Sequence, residues 1–226
     1  MSRKPIGQFG PSVAILLGGC LWGLFWIPLR QIGDTGLAGA WPGLLIYLTA
    51  CFGLAPIAWL RRQEFASQWP VLLLCGLFTG GAFTLYTVSI FLTDVIRVIL
   101  LFYLTPIWST ILGWIFLQER LTANRVLAIL VGILGMMVVL GIGKQFPWPA
   151  NAGDWLALLS GLLWSYGSLQ LYRAHDISAS TQVFTFALGG AVTSLVFIVL
   201  GVFEFGEQVS IENVKAALSL AALTSL

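Results

Sequence analysis

The sequence predicts an all-α integral membrane fold, with about seven full transmembrane helices and a partial eighth. Three observations carry this. Hydrophobic residues make up 58% of the 226-residue chain and charged residues only 9%, against roughly 25% charged in a soluble domain. Apolar stretches of about 20 residues recur, the length that crosses a ~30 Å hydrocarbon core. There is also an internal repeat. Moved by 142 positions, Leu16–Asp34 falls on Leu158–Asp176, with identities at Leu16, Leu17, Gly19, Leu21, Trp22, Leu29 and Asp34.

Taken in order, the spans are expected at Ser12–Leu29, Leu37–Leu60, Val71–Leu92, Val95–Leu117 and Asn124–Ile142. After a polar connector with Pro147 and Pro149 come Gly153–Tyr172 and Thr181–Phe203. The last apolar run, Val214–Leu226, has a length of about 20 Å at 1.5 Å per residue, too short to cross. The chain is therefore expected to be a fragment. Five spans separate the repeat copies, an odd number, so the second copy is expected upside down, as in many secondary transporters. Arg3 and Lys4 precede the first span without a convincing cleavage site, so no leader is expected. With the N-terminus inside, the inner connections hold Arg3, Lys4, Arg61, Arg62, Arg120, Arg125 and Arg173, and the outer ones hold Arg30, Lys144 and Lys215. That excess predicts a cytoplasmic N-terminus.

The first span carries Gly19-x-x-x-Gly23 and the third carries Gly76-x-x-x-Gly80, a spacing that lets helix backbones approach in lipid. Trp22, Trp26 and Arg30 form one stripe on the first span; Trp164, Ser168 and Tyr172 form the comparable stripe on the sixth. An interfacial aromatic belt accounts for Trp26 and Tyr172. Trp22 and Trp164 lie deeper, at matching repeat positions, and are candidates for a central cavity, with Trp26 and Ser168 carried along on the same stripes. On the third span Thr79, Tyr86 and Thr93 recur every seven residues. They either bond neighbouring helices or line a cavity.

The fourth span holds the most informative residues. Arg97 lies just inside its outer end, where charge is expensive and often functional. It shares a face with Leu101 and Trp108, with Thr105 close by. Its guanidinium is read three ways: contact with an anionic substrate, pairing with Asp94, or snorkelling to the headgroups. Pro106 removes a backbone donor and opposes the carbonyl of Phe102. In lipid such a break needs neighbouring groups to satisfy that carbonyl, and Thr105, Ser109 and Thr110 flank it. Pro106 is expected to kink the helix and face protein or a cavity.

Two motifs carry a resemblance. The run Leu100–Thr122, LLFYLTPIWSTILGWIFLQERLT, resembles the signature helix and following loop of EamA-type members of the drug/metabolite transporter superfamily, and Leu21–Phe25, LWGLF, resembles their first-helix motif. The resemblance implies an inverted repeat of five helices plus five: a first repeat over 1–143, an outer connector over 144–152 and an incomplete second repeat over 153–226. It also implies a permease for small metabolites, such as amino acids or drug-like compounds, in the cell membrane.

Other chemistry has little support. Cys20, Cys51 and Cys75 lie in apolar runs without metal-ligand spacing and read as packing residues. No metal or cofactor is expected, and a net charge of +2 gives no reason to expect nucleic acid. Gly141–Lys144 lacks the spacing and hydroxyl of a phosphate loop, so direct ATP drive is not expected. Asp94 is the one carboxylate singled out for a proton relay, and it is peripheral. His175, Glu204, Glu207 and Glu212 read as solvated loop residues, and Glu119 with Arg120 as an inner helix terminus. An integral-membrane enzyme would need paired acids, a histidine cluster or a nucleophile–base set. A retinal protein would need a lysine in the seventh span, and a receptor is at odds with the inward N-terminus. The expected partners are a small-molecule substrate and the lipid bilayer; the sequence leaves a homodimer open.

Overall fold

A computed structural model describes residues 9–140, 149–174, 177–202 and 210–224. The expectations on Arg3, Lys4, Gly141–Lys144, Pro147, His175, Glu204 and Glu207 lie outside these residues. The described chain is helical, and the family of apolar segments explains why: in a bilayer every backbone polar group must be satisfied within its own segment. The helices are α1 (Phe9–Leu24), α2 (Trp26–Gly33), α3 (Trp41–Leu60), α4 (Arg62–Leu92), α5 (Val95–Phe102), α6 (Thr105–Leu117), α7 (Ala123–Leu140), α8 (Ala152–Arg173), α9 (Ala179–Val199) and α10 (Ile211–Thr224).

Prolines punctuate two of the expected spans in the same way. Pro28 opposes the carbonyl of Leu24, and α1 ends at Leu24; Pro106 opposes that of Phe102, and α5 ends at Phe102. Pro106 thus sits in the first turn of α6, where its missing N–H costs nothing. The expected mid-helix kink is instead a break at Tyr103–Leu104. Thr105 Oγ1 donates to the freed Phe102 carbonyl. Pro70 acts more mildly: α4 kinks at Gln68, whose φ is −121°. That helix begins at Arg62, nine residues before the expected Val71. The α3 helix starts later than expected, at Trp41, because Gly36 and Gly39 take φ of 90° and 69° in the preceding turn.

Among the described residues five segments are long and apolar enough to cross a membrane: Ser12–Gly33, Trp41–Leu60, Arg62–Leu92, Val95–Leu117 and Ala179–Val199; Ala123–Val139 is apolar but shorter. The α8 helix forms over the expected sixth span without meeting that measure. Its Gly153, Asp154, Ser160, Gly161, Ser165 and Gly167 form a polar and small-residue face that is buried.

The core is built on α4, which packs along both α8 and α9. Gly80 makes the α4–α9 approach possible: a Cβ there would overlap the backbone of Gly189 and Gly190. Gly76 meets Thr185 in the same crossing. Gly19 and Gly23 differ, because a Cβ at either meets nothing within 4 Å. The close approach expected of that pair is not made by the described residues. The α9 helix also packs on α3, α10 packs on α3 and α2, and α5 and α6 pack on α8.

Candidate functional site

The middle of the bundle is a cluster of aromatic rings around Phe83 of α4, which is 3% exposed. Trp22 of α1 lies 4.6 Å from it between centroids, Trp164 of α8 5.1 Å and Phe186 of α9 5.0 Å. Tyr86 and Phe102 complete it, 5.1 Å apart. The two tryptophans matched by the repeat therefore meet the same ring from opposite halves of the chain. Tilted and edge-on contacts at these distances suit the ring quadrupoles. Trp26 packs against the rim of this core.

One end of the bundle is tied by an ionic knot. Asp154, in the first turn of α8 and fully buried, accepts from Arg97 Nη2 at 2.6 Å and from Arg97 Nε at 3.2 Å. It also accepts from Thr93 Oγ1 at 2.9 Å and from the Ala150 N–H at 2.9 Å. Asn151 caps the helix through the Asp154 N–H and donates to Thr93 Oγ1 at 3.0 Å. Of the readings considered from sequence, pairing with Asp94 is corrected in part: the hydrogen-bonded ionic partner of Arg97 is Asp154, and Asp94 acts on it through charge alone. A carboxylate at a helix N-terminus is also favoured by the helix dipole.

Beyond the aromatic centre, toward the opposite end, a cavity of about 310 Å³ opens between α4, α8 and α9. Thr79 of α4 and Trp164 and Ser168 of α8, all named from sequence, line it. Gln182, Thr185 and Phe186 complete the polar and aromatic wall. Thr79 Oγ1 is bonded back to the Cys75 carbonyl at 2.7 Å, whereas Thr185 Oγ1 is buried with no hydrogen-bond partner. At that end Glu64 clasps the start of α9, its carboxylate accepting from the Ser178 N–H and from Ser178 Oγ at 3.0 Å. Phe65 meets Phe184 edge-on beside it.

A larger cleft of about 610 Å³ lies between α5–α6 and α7, with Pro106, Ser109, Thr110 and Arg125 in its wall. No helix packs closely along α7 among the described residues, and this cleft lies beside the bundle, away from the Phe83 cluster. Thr105 and Ser165 join α6 to α8, the Ser165 hydroxyl donating to the Thr105 carbonyl at 3.2 Å. Trp108 Nε1 is buried without a partner. At the far end of α6, Gln118 adopts a left-handed conformation and Glu119 pairs with Arg125 at 2.7 Å.

Sequence reasoning missed Asp154, Phe83, Thr185 and the hydroxyl cluster in which Thr84 meets Thr193 at 2.8 Å and Ser194 at 3.0 Å. A signal for Asp154 was present: Asn151-x-x-Asp154 before an apolar run is a helix-capping pattern, and it sets a carboxylate at the depth of Arg97. Phe83 looks like any phenylalanine in a membrane helix, so nothing marked it.

Comparison with curated proteins and with solved structures gives no match. A family model described as the EamA-like transporter family matches residues 11–141, more than half of the chain and nearly all of the stretch from α1 to α7. Members of that family are membrane transporters of the drug/metabolite type and not enzymes. With its apolar helices and this match, the chain is a multi-pass membrane protein and belongs to the EamA-like transporter family.

Proposed function

We propose that this protein is a secondary transporter that exports a small metabolite, such as an amino acid or a drug-like compound, across the cell membrane by alternating access. The carrying observation is the asymmetry along the bundle axis. The Arg97–Asp154 end is tied shut, the Phe83 cluster fills the middle, and the cavity with a polar lining lies toward the Glu64 end. The recess of about 370 Å³ nearer the Asp154 end is instead walled almost wholly by apolar side chains such as Leu159, Leu163 and Phe197. Alternating access requires a path closed on one side of a central barrier while open on the other. The excess of arginine in the connections read as inner, at Arg61, Arg62, Arg120, Arg125 and Arg173, favours a cytoplasmic N-terminus and a cavity on that side, the loading side for export.

The helix pairings support the two-repeat organisation, with 1–143 and 153–226 as inverted copies joined by 144–152. The α3–α9 pair sits at the centre; α4 on α9 corresponds to α10 on α3, and α4 on α8 corresponds to α10 on α2. Those exchanges are what a single two-fold relating the copies would produce. The path runs between the first, third, fourth and sixth spans, with Trp22, Tyr86 and Trp164 at its centre. Arg97 bounds it through Asp154, and Thr105 and Trp108 line its α6 side.

The test is transport by protein reconstituted into liposomes, over a panel of labelled amino acids and neutral drug-like compounds. Saturable transport of at least one compound is expected, reduced roughly tenfold by Trp164→Ala or Trp22→Ala. Movement of no compound above the rate of empty liposomes, or tryptophan variants as fast as the unsubstituted protein, contradicts the proposal.

A further inference from the structure

We propose that the α4–α8–α9 cavity is a binding site for an uncharged, flat molecule with a hydrogen-bonding edge, and that Thr185 is the residue that recognises that edge. This deepens the transport reading and rests on it for the cavity's use, but binding is tested without transport. Three features carry the inference. First, among the described residues no acidic or basic side chain lines the cavity; its polar residues are Thr79, Ser168, Thr185 and Gln182. An ionised ligand would leave water there with no opposite charge to meet it, which is costly. Second, Trp164 and Phe186 stand perpendicular, 6.1 Å between centroids, and both face the cavity wall. A planar ligand can lie along one ring and meet the edge of the other. Third, Thr185 Oγ1 is buried in a 7%-exposed residue and has no partner.

The third feature is the most telling. A buried hydroxyl without a partner costs free energy that a ligand removes by bonding to it. A helical threonine ordinarily satisfies itself by bonding back to a carbonyl one turn earlier, as Thr79 does in the facing wall. Thr185 does not. The volume of about 310 Å³ lies at the small end of ligand sites, which fits a one- or two-ring compound.

Cys75 lines the same cavity and reports on its occupancy. In protein held in nanodiscs, with Cys20→Ser and Cys51→Ser leaving Cys75 as the one thiol, the rate of alkylation by N-ethylmaleimide would be measured. The probes are indole-3-acetamide and indole-3-acetate, nearly equal in shape and different in charge. The amide is expected to slow alkylation, and the acetate to need about tenfold higher concentration for the same effect. Thr185→Val is expected to weaken protection by the amide about three- to tenfold. That variant should leave the rate without probe unchanged and the melting temperature equal or higher, since it removes an unpaired buried hydroxyl. Equal protection by both probes overturns the charge selectivity. Full protection in Thr185→Val overturns the role of Thr185. Protection by neither probe, or a Cys75 that stays unreacted, overturns the site itself. None of these outcomes decides whether the Phe83 path transports, which the liposome assay reads separately.

Discussion

The two ends of the bundle are held by the same kind of device and to very different degrees. At one, Asp154 binds the Arg97 guanidinium, the Thr93 hydroxyl and the Ala150 N–H while Asn151 caps its helix. At the other, Glu64 binds Ser178, which caps α9 through the Thr181 N–H, and pairs at 3.8 Å with the exposed Arg61. Asp154 is fully buried, and the Glu64 side chain is 15% exposed. The lesson is that a carboxylate at a helix start closes an end firmly when the cation sharing it is itself largely shielded, as Arg97 is at 22% exposed and Arg61 is not at 54%. The more loosely tied end is where the cavity with the polar lining lies.

The largest break in this comparison is expected from Asp154→Ala. It leaves the Arg97 guanidinium beside a vacated buried site and removes every bond that the Asp154 carboxylate accepts, at a cost of about 3–5 kcal/mol. Thermal unfolding in detergent should show the largest drop of the variants considered. Arg97→Lys should fall between Asp154→Ala and the unsubstituted protein, because an ammonium lacks the planar fork that engages both carboxylate oxygens. A neutral Arg97→Lys would favour snorkelling instead.

The paired glycines sharpen the contrast on another axis. Gly80→Ala forces a methyl into the α9 backbone and should cost about 1–3 kcal/mol. Gly19→Ala should be neutral or raise stability by about 0.5–1 kcal/mol through helix propensity. Equal effects would mean that α1 packs through its glycines after all. Glu64→Gln should cost about 1 kcal/mol, as for loss of a helix cap. Asp94→Asn should stay within about 0.5 kcal/mol, being peripheral to the knot.

What was legible in the sequence follows from what each signal depends on. Helix breaks were readable because a proline acts on the carbonyl four residues back, a local effect that Pro106 and Phe102 display. The family was readable from contiguous motifs, and the Trp22–Trp164 pair from the repeat. Partnership was harder. Gly19-x-x-x-Gly23 and Gly76-x-x-x-Gly80 have the same spacing, but only the second finds a facing glycine pair, and that pair lies over a hundred positions away. Arg97 was flagged by its cost in a membrane, whereas its true partner required knowing that the start of α8 lies beside α5. The orphaned Thr185 hydroxyl had no sequence signal, since most helical threonines satisfy themselves.

The central claim is that the Asp154 end must open for a solute to leave. Thr93 Oγ1 and Asn151 Nδ2 are 3.0 Å apart across that end, so Thr93→Cys with Asn151→Cys, in protein whose three native cysteines are serine, would place a disulfide there. The measurement is transport of a compound carried by the unsubstituted protein, before and after oxidation and again after reduction. The account predicts that oxidation abolishes transport and reduction restores it. Undiminished transport with the disulfide fully formed would contradict it.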